Sequence, residues 1–176
     1  MINNKLIDPK SIVVVGGSND TSKPGGMVLK NILDFGYKGD LYVVNPKLSE
    51  VQGIKSYSTV EELPNCDCAI IAIAAKYCHH AIEVLTKEKE TRGFIILSAG
   101  FSEESEEGKK METEIVNTIN EVGGSLIGPN CVGFMNVNYP GVFIAPVPTL
   151  SPDGADFISG SGATALFVME TGIAHG

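Results

Sequence analysis

Short apolar runs alternate with amphipathic stretches along most of the chain. The apolar runs have the length and composition of β-strands and lie at residues 11–15, 41–44, 68–73, 94–97 and 125–127. The amphipathic stretches have helical spacing and lie at residues 26–35, 77–88 and 105–122. Strands that are apolar throughout and separated by helices are typical of a parallel sheet covered on both faces. The pattern therefore predicts a doubly wound, Rossmann-like α/β domain over residues 1–136.

The pattern changes after this domain. Residues 137–154 are richer in proline, and they predict a linker. Residues 155–159 have the composition of a strand, and a Gly-Ser-Gly turn at 160–162 leads into a predicted helix at 163–171. This strand-turn-helix unit predicts the start of a second α/β domain over residues 155–176, which we expect to continue beyond the given sequence.

Charge and apolar content narrow the classes of function. The net charge of −8 argues against a nucleic-acid or membrane-surface binder, because either would need a basic face. The first ten residues lack a secretory h-region, and no apolar run is long enough to cross a bilayer. The four cysteines form no C-x-x-C pair or disulfide framework, which predicts reduced thiols in the cytoplasm.

The loop after the first strand is the first candidate site. It contains Gly16, Gly17, Ser18, Asn19 and Gly26. Glycines allow the backbone to approach a phosphate closely, and the following helix offers free N–H groups at its start. The loop matches neither a G-x-G-x-x-G nor a Walker A pattern. On these residues alone, a phosphate site and a surface loop both remain open.

The end of the second strand discriminates better between ligands. A site for NAD normally carries an acidic residue there, which holds the ribose hydroxyls. Here the strand is followed by Asn45, Pro46 and Lys47. A neutral asparagine followed by a cation suits a phosphorylated ribose, as in coenzyme A or NADP. A proline turn with a solvated lysine is the alternative without a ligand.

No metal site or catalytic residue is predicted from the remaining reactive side chains. His79 and His80 are adjacent on a predicted helix, so they point about 100° apart and do not converge. Together with Cys66 and Cys68 they match no standard zinc spacing. Cys131 follows a Gly-Pro-Asn turn with no histidine nearby in sequence, which favours a structural thiol over a nucleophile.

Five segments, in this order and spacing, resemble the NDP-forming acyl-CoA synthetases. This family includes ADP-forming acetyl-CoA synthetase, which is the better match, and the α subunit of succinyl-CoA synthetase. The segments span almost the whole chain and comprise residues 15–18 (VGGS), 39–47 (GDLYVVNPK), 98–103 (SAGFSE), 128–133 (GPNCVG) and 159–163 (SGSGA). Two departures are Gly160, in place of a long polar residue, and Ala74, in place of a common proline.

The resemblance assigns roles to the candidate residues. It implies that the glycine loop binds the phosphates of coenzyme A (CoA) and that Lys47 faces the nucleotide phosphate. It places Ser161 and Gly162 at the start of a helix in a flavodoxin-like second domain, where the family holds the phosphate of a phosphohistidine. The residues that would border the pantetheine arm are Ile73, Ala74, Ala75 and Lys76, together with Ser98, Ala99 and Gly100.

The resemblance also implies an activity for the parent protein. That protein would interconvert acyl-CoA, phosphate and NDP with acid, CoA and NTP, through an acyl phosphate and a phosphohistidine. The phosphorylated histidine and an ATP-grasp part, which uses ATP or ADP with Mg²⁺, would lie outside this chain, in a further domain or a β subunit. We therefore expect no catalytic residue in this chain and no turnover by it alone. Homo- and hetero-oligomers both remain open.

Two other functions remain open at this stage. One is a non-catalytic CoA-binding regulatory or scaffold domain, as found fused to acetyltransferases. The other is an NAD(P)-binding redox protein, against which the missing acidic residue after the second strand counts. The acyl group and the nucleotide base are not indicated by the sequence.

Overall fold

A seven-stranded sheet forms the centre of the protein. The computed structural model describes residues 2–151, 153 and 155–175, and the side chains only as far as residue 172. In order across the sheet, its strands are β3 (Glu50–Val51), β4 (Ile54–Tyr57), β2 (Asp40–Val44), β1 (Ser11–Val15), β5 (Cys68–Ile71), β6 (Gly93–Ile96) and β7 (Ser125–Ile127). All neighbours are parallel except β3 and β4, which form an antiparallel hairpin.

The position of β1 defines where a ligand can bind. All five of its residues are buried, and it lies between β2 and β5. Val15 is in register with Val44 on one side and Ile71 on the other, so the three strands end at the same edge. The chain leaves β1 towards β2 and later returns to β5 on the other side, which creates a switch point and a crevice at that edge. The predicted Rossmann-like α/β fold is confirmed.

The two faces of the sheet are covered by different elements, because alternate strand residues point to opposite sides. Val13 and Val15 belong to a cluster with helices α3 (Ala75–Lys87) and α4 (Glu106–Glu121). Ile12 and Val14 belong to a second cluster with α1 (Asn4–Ile7) and α2 (Pro24–Phe35). The 3₁₀ turn Val60–Glu62 packs on α3.

Local signals explain the ends of α2. Pro24 occupies the first turn, where its missing N–H costs no hydrogen bond. Gly36 ends the helix in the left-handed conformation with φ 73°, which glycine adopts without steric cost. Both α2 and α3 begin two residues earlier than predicted, which brings Ala75 and Lys76 into the first turn of α3.

Part of the predicted linker is packed into the core. Strands β8 (Gly133–Met135) and β9 (Pro140–Val142) form a small antiparallel sheet, and β9 contacts α2. Tyr139 is 0% exposed, and its hydroxyl donates to the Leu6 carbonyl at 2.7 Å. Asn31 of α2 donates to the carbonyls of Val142 and Ile144. Contrary to the linker prediction, residues 139–142 are therefore an integral part of the first domain's core.

The predicted strand at residues 155–159 does not form. These residues are in no strand of the described chain, and Phe157 and Ile158 are 54% and 88% exposed. A strand needs a neighbour to satisfy its backbone groups, and none adjoins this segment among the described residues. The predicted helix at 163–171 is present as α5 (Gly162–His175). Gly154 and Gly176, which bound the predicted linker and second domain, lie outside the described residues.

Candidate functional site

The glycine loop after β1 is folded tightly against the start of α2. A Cβ atom built on Gly25 would lie 2.2 Å from the Gly16 carbonyl oxygen, and one built on Gly26 would lie 2.1 Å from the Asp20 carbonyl oxygen. Gly16 itself has φ 91°, and its Cβ would meet the Ala72 carbonyl oxygen at 2.4 Å. Only glycine fits at these positions, because backbone atoms cannot yield as a flexible side chain would.

The start of α2 is open towards this loop. Lys23 occupies the N-cap position, and no side chain there makes a capping hydrogen bond. Pro24 has no N–H, and the Gly26 N–H donates to the Lys23 carbonyl at 3.0 Å. This leaves the Gly25 N–H as the donor of this turn without a backbone partner among the described residues. The helix dipole adds partial positive charge at this end. The glycine loop and the start of α2 together form a cradle that suits a phosphate.

Asn45 links the end of β2 to the glycine loop. Its Nδ2 donates to the Gly17 carbonyl at 2.8 Å, and its Oδ1 accepts a hydrogen bond from the Lys47 backbone N–H at 2.9 Å. Asn45 therefore fixes the turn through Pro46 and joins it to the glycine loop. Lys47 is exposed, and among the described residues its amine has no carboxylate within 4.0 Å. Its charge is therefore not neutralised by an ion pair within that part of the chain.

The ends of β5, β6 and β7 are tied together at the same edge. Ser98 Oγ donates to the Ile73 carbonyl, and the Asn130 N–H donates to the Ser98 carbonyl at 2.9 Å. Ala74 follows Ile73 as the N-cap of α3, again without a side-chain cap, so the first turn with Ala75 and Lys76 is open. The structure therefore brings the two predicted pantetheine segments side by side.

The backbone N–H of Gly100 is already hydrogen-bonded within the protein. It donates to Glu103 Oε1 at 2.7 Å, while the Phe101 N–H donates to Glu103 Oε2 at 3.2 Å. These hydrogen bonds, chiefly the one from Gly100, hold the pKa of the Glu103 carboxyl below its usual value. Gly100 has φ 104°, so it can line the crevice with its backbone, whereas exposed Ala99 offers only a small side chain.

The start of α5 lies against the first domain. A Cβ atom built on Gly162 would lie 2.9 Å from Cγ1 of Val132, the residue that follows Cys131 in the sequence. Ser161 Oγ accepts a hydrogen bond from the Thr164 N–H at 3.3 Å, as an N-cap side chain does. The structure thus places Ser161 and Gly162 next to the segment that follows β7.

Cysteines and histidines near the crevice have structural partners. Burial raises the pKa of Cys131, and its Sγ donates to the Ile96 carbonyl at 3.3 Å. Burial also raises the pKa of Cys78 to about 11. His79 faces Glu114 at 3.7 Å and His80 faces Glu61 at 3.0 Å, so the two rings diverge. Within the described part of the chain, no group of three His, Cys, Asp or Glu side chains could hold a metal ion.

Two residues that touch the site were not predicted. Glu103 accepts hydrogen bonds from the backbone N–H groups of Gly100 and Phe101. Gln52, in the β3–β4 turn, contacts the glycine loop from a distant part of the sequence. The Gln-Gly pair signals a turn, but nothing in the local sequence indicates what that turn contacts.

Comparison with known proteins decides the family. The model of the family described as "CoA binding domain" matches residues 10–137 of this chain. The chain belongs to this CoA-binding domain family. The matched range contains the glycine loop, Asn45 to Lys47 and Ser98 to Gly100, whereas Ser161 and Gly162 lie beyond it.

Relatives of this CoA-binding domain include ADP-forming ligases. The α subunit of ADP-forming acetate–CoA ligase II from Pyrococcus furiosus is 41% identical over 162 residues, which are 90% of this chain and 34% of that protein. ADP-forming acetate–CoA ligase I from Archaeoglobus fulgidus is 37% identical over 169 residues, covering 94% and 24%. The resemblance to the NDP-forming acyl-CoA synthetases is confirmed. This chain spans about a third or less of these relatives.

A solved structure extends the likeness to three dimensions. The dinucleotide-forming acetyl-coenzyme A synthetase 1 of Candidatus Korarchaeum cryptofilum, in complex with phosphate and ADP, matches with a TM-score of 0.80 and 28% identity. The match covers 97% of this CoA-binding domain chain and 36% of that protein. No helix within the described residues is both long and apolar enough to cross a membrane.

Proposed function

We propose that this chain binds CoA as part of an ADP-forming acyl-CoA ligase, most closely of the acetate type. The observation that carries this proposal is the glycine loop packed on the uncapped start of α2 and joined by Asn45 to the turn that carries Lys47. A diphosphate fits the loop, because glycines permit close approach and helix N–H groups donate. The amine of Lys47 would contact the 3′-phosphate of the CoA ribose.

The rest of the ligand would follow the edge of the sheet. The pantetheine arm would run past Ile73 and Ala74 towards Ser98 and Ala99, which lie side by side at the ends of β5 and β6. Its thiol end would then approach the start of α5, where the N–H groups from Gly162 onward would face a phosphate, while the Ser161 N–H is held by Ser159 Oγ at 3.1 Å. This path uses all the predicted segments in spatial order.

The parent enzyme would carry out the chemistry with further residues. Phosphate would attack the thioester carbonyl and release CoA as the thiolate, giving an acyl phosphate. The histidine would take the phosphoryl group from the acyl phosphate and release the acid as its carboxylate, and the phosphohistidine would then phosphorylate ADP in an ATP-grasp domain or β subunit outside this chain. Phosphoryl transfer depends on groups assembled from several parts, so we propose that this chain alone has no turnover.

Other proposals are less well supported. An NAD site would need an acidic side chain at the end of β2, where Asn45 is committed to Gly17 and to the Lys47 N–H. The relatives compared above are ligases, which favours a ligase over a non-catalytic CoA-binding scaffold. All four cysteines are free thiols, which is consistent with our proposal of a cytoplasmic location.

Lys47→Ala tests the proposed orientation of CoA. The substitution should weaken CoA binding roughly fivefold to tenfold, because a charge-assisted contact to the 3′-phosphate is lost. Dephospho-CoA, which lacks that phosphate, should bind wild type and variant alike within about twofold. Isothermal titration calorimetry with both ligands measures the difference, and Lys38→Ala is the matched control at an exposed lysine after α2. Equal losses for both ligands would show that Lys47 does not contact the 3′-phosphate, and no CoA binding by wild type would refute the proposed function.

A further inference from the structure

The turn of the β3–β4 hairpin reaches across to the glycine loop. Gln52 lies at this turn, between Val51 at the end of β3 and Ile54 at the start of β4. Its backbone has φ 50°, in the left-handed region that favours glycine, yet the residue is a glutamine. A non-glycine residue needs contacts that hold its backbone in this conformation, and Gln52 makes three hydrogen bonds.

All three contacts are hydrogen bonds to the glycine loop. The Gln52 backbone N–H donates to Asn19 Oδ1 at 2.7 Å. The side-chain Nε2 donates to the Ser18 carbonyl at 2.7 Å and to the Gly26 carbonyl at 2.8 Å. An amide NH₂ carries two hydrogens, so both of these bonds are made by separate protons.

The two carbonyls belong to opposite ends of the loop. Ser18 lies near the start of the loop after β1, and Gly26 lies in the first turn of α2, eight residues later in the sequence. The segment between them is exposed from Asn19 to Pro24, and its polar contacts join Asp20 to Ser18, Ser22 and Lys23, and Lys23 to Gly26. From outside the loop, Gln52 binds both of its ends at once.

We propose that Gln52 is a positioning residue for the CoA diphosphate. It holds both ends of the glycine loop in the binding conformation before the ligand arrives, so that binding does not have to order the loop. Gln52 acts through the loop and leaves the ligand contacts to the loop N–H groups. This inference rests on the proposed CoA function, and it assigns to the hairpin a role in affinity.

Gln52→Met removes the two side-chain donors while keeping an unbranched chain of similar length. CoA should bind about tenfold more weakly, since two hydrogen bonds to the loop are lost and the loop must be ordered on binding. Dephospho-CoA should lose affinity by the same factor, because it carries the same diphosphate. This equal loss distinguishes Gln52 from Lys47, for which the loss is confined to CoA.

Hydrogen exchange of the ligand-free protein gives an independent readout. Backbone amides of residues 17–27 should exchange faster in Gln52→Met than in wild type, with amides of β1 unchanged. Gln52→Glu should weaken CoA more than Gln52→Met does, because its carboxylate oxygens would face the Ser18 and Gly26 carbonyl oxygens. Lowering the pH should reduce the difference in CoA affinity between Gln52→Glu and wild type, because the protonated carboxyl can donate a hydrogen bond. Both proteins are compared at the same pH.

Gly53→Ala is the matched control in the same turn. Gly53 has φ 83° and open space around its Cα, so alanine strains the hairpin while leaving the donors of Gln52 in place. Its melting temperature should fall, but its CoA affinity should stay within about twofold of wild type. A role of Gln52 in hairpin stability alone would make affinity follow melting temperature in both variants, and would overturn the proposal.

The outcomes separate this inference from the proposed function. Wild-type CoA affinity retained in Gln52→Met overturns the inference and leaves the proposed function intact. If wild type binds no CoA, the proposed function fails, and the role of Gln52 in CoA binding fails with it. The exchange data then show whether Gln52 nevertheless holds the loop: faster exchange in Gln52→Met supports that contact, and unchanged exchange refutes it.

Discussion

Gly25→Ala is expected to weaken CoA binding by a factor on the order of a hundred or more, which corresponds to about 3 kcal/mol. The added Cβ would lie 2.2 Å from the Gly16 carbonyl oxygen and 3.0 Å from its carbonyl carbon. Both atoms belong to the backbone, so the start of α2 must move away from the loop. The cradle would open, and its N–H groups would no longer converge on one phosphate.

The measurement is calorimetry with CoA, together with thermal unfolding of the ligand-free variant. Gly172→Ala is the control, because Gly172 lies in α5 and a Cβ there meets no heavy atom within 4 Å. It should leave CoA affinity unchanged. A folded Gly25→Ala variant that binds CoA within about threefold of wild type would show that the contact between loop and helix is not part of the site.

Tyr139→Ala should lower the free energy of unfolding by about 3–5 kcal/mol, the range typical of a large aromatic side chain removed from a core. The ring is fully buried and packs against Tyr37 and Phe134, with centroids 6.5 and 5.8 Å away. Its hydroxyl donates to the Leu6 carbonyl, which ties α1 to the segment before β9. Tyr139→Phe keeps the ring and should cost only about 1–3 kcal/mol, from the carbonyl left unpaired.

Urea denaturation of the two variants tests where the first domain ends. Tyr77→Ala is the matched control, because Tyr77 is 57% exposed on α3. It should change stability by less than about 0.5 kcal/mol. If residues 137–154 were a linker throughout, Tyr139→Ala would resemble this control. A loss of several kcal/mol would instead require residues 139–142 to be part of the core.

The parallel sheet was predictable because each of its central strands is a short run of residues buried on both faces. Runs such as residues 11–15 combine β-branched side chains with flanking turn residues, and no amphipathic helix has that pattern. Strands β8 and β9 were missed for the opposite reason. Pro140 begins β9, and a proline followed by a glycine indicates a turn or linker unless its packing partner is known.

The candidate site was predictable where one strand end determines it. Asn45 and Lys47 follow β2 directly, so their place at the carboxyl edge follows from the strand assignment. What their side chains do was not predictable, since the bond from Asn45 to Gly17 joins residues 28 positions apart. Gln52 was missed for the same reason: its partners at Ser18 and Gly26 become neighbours only when the hairpin folds over the loop.

The central claim is that CoA binds at the carboxyl edge of the sheet, across the glycine loop. The most direct test is a two-dimensional NMR titration of wild-type protein with CoA, and separately with NAD. We predict that CoA shifts the amide signals of residues 16–26, Lys47 and 98–100, while those at the opposite edge, around the depression lined by Lys5, Asp67 and Arg92, stay in place. NAD at the same concentration should shift none of them. The claim would be contradicted if CoA left the loop signals unchanged, shifted the opposite edge instead, or produced the same shifts as NAD.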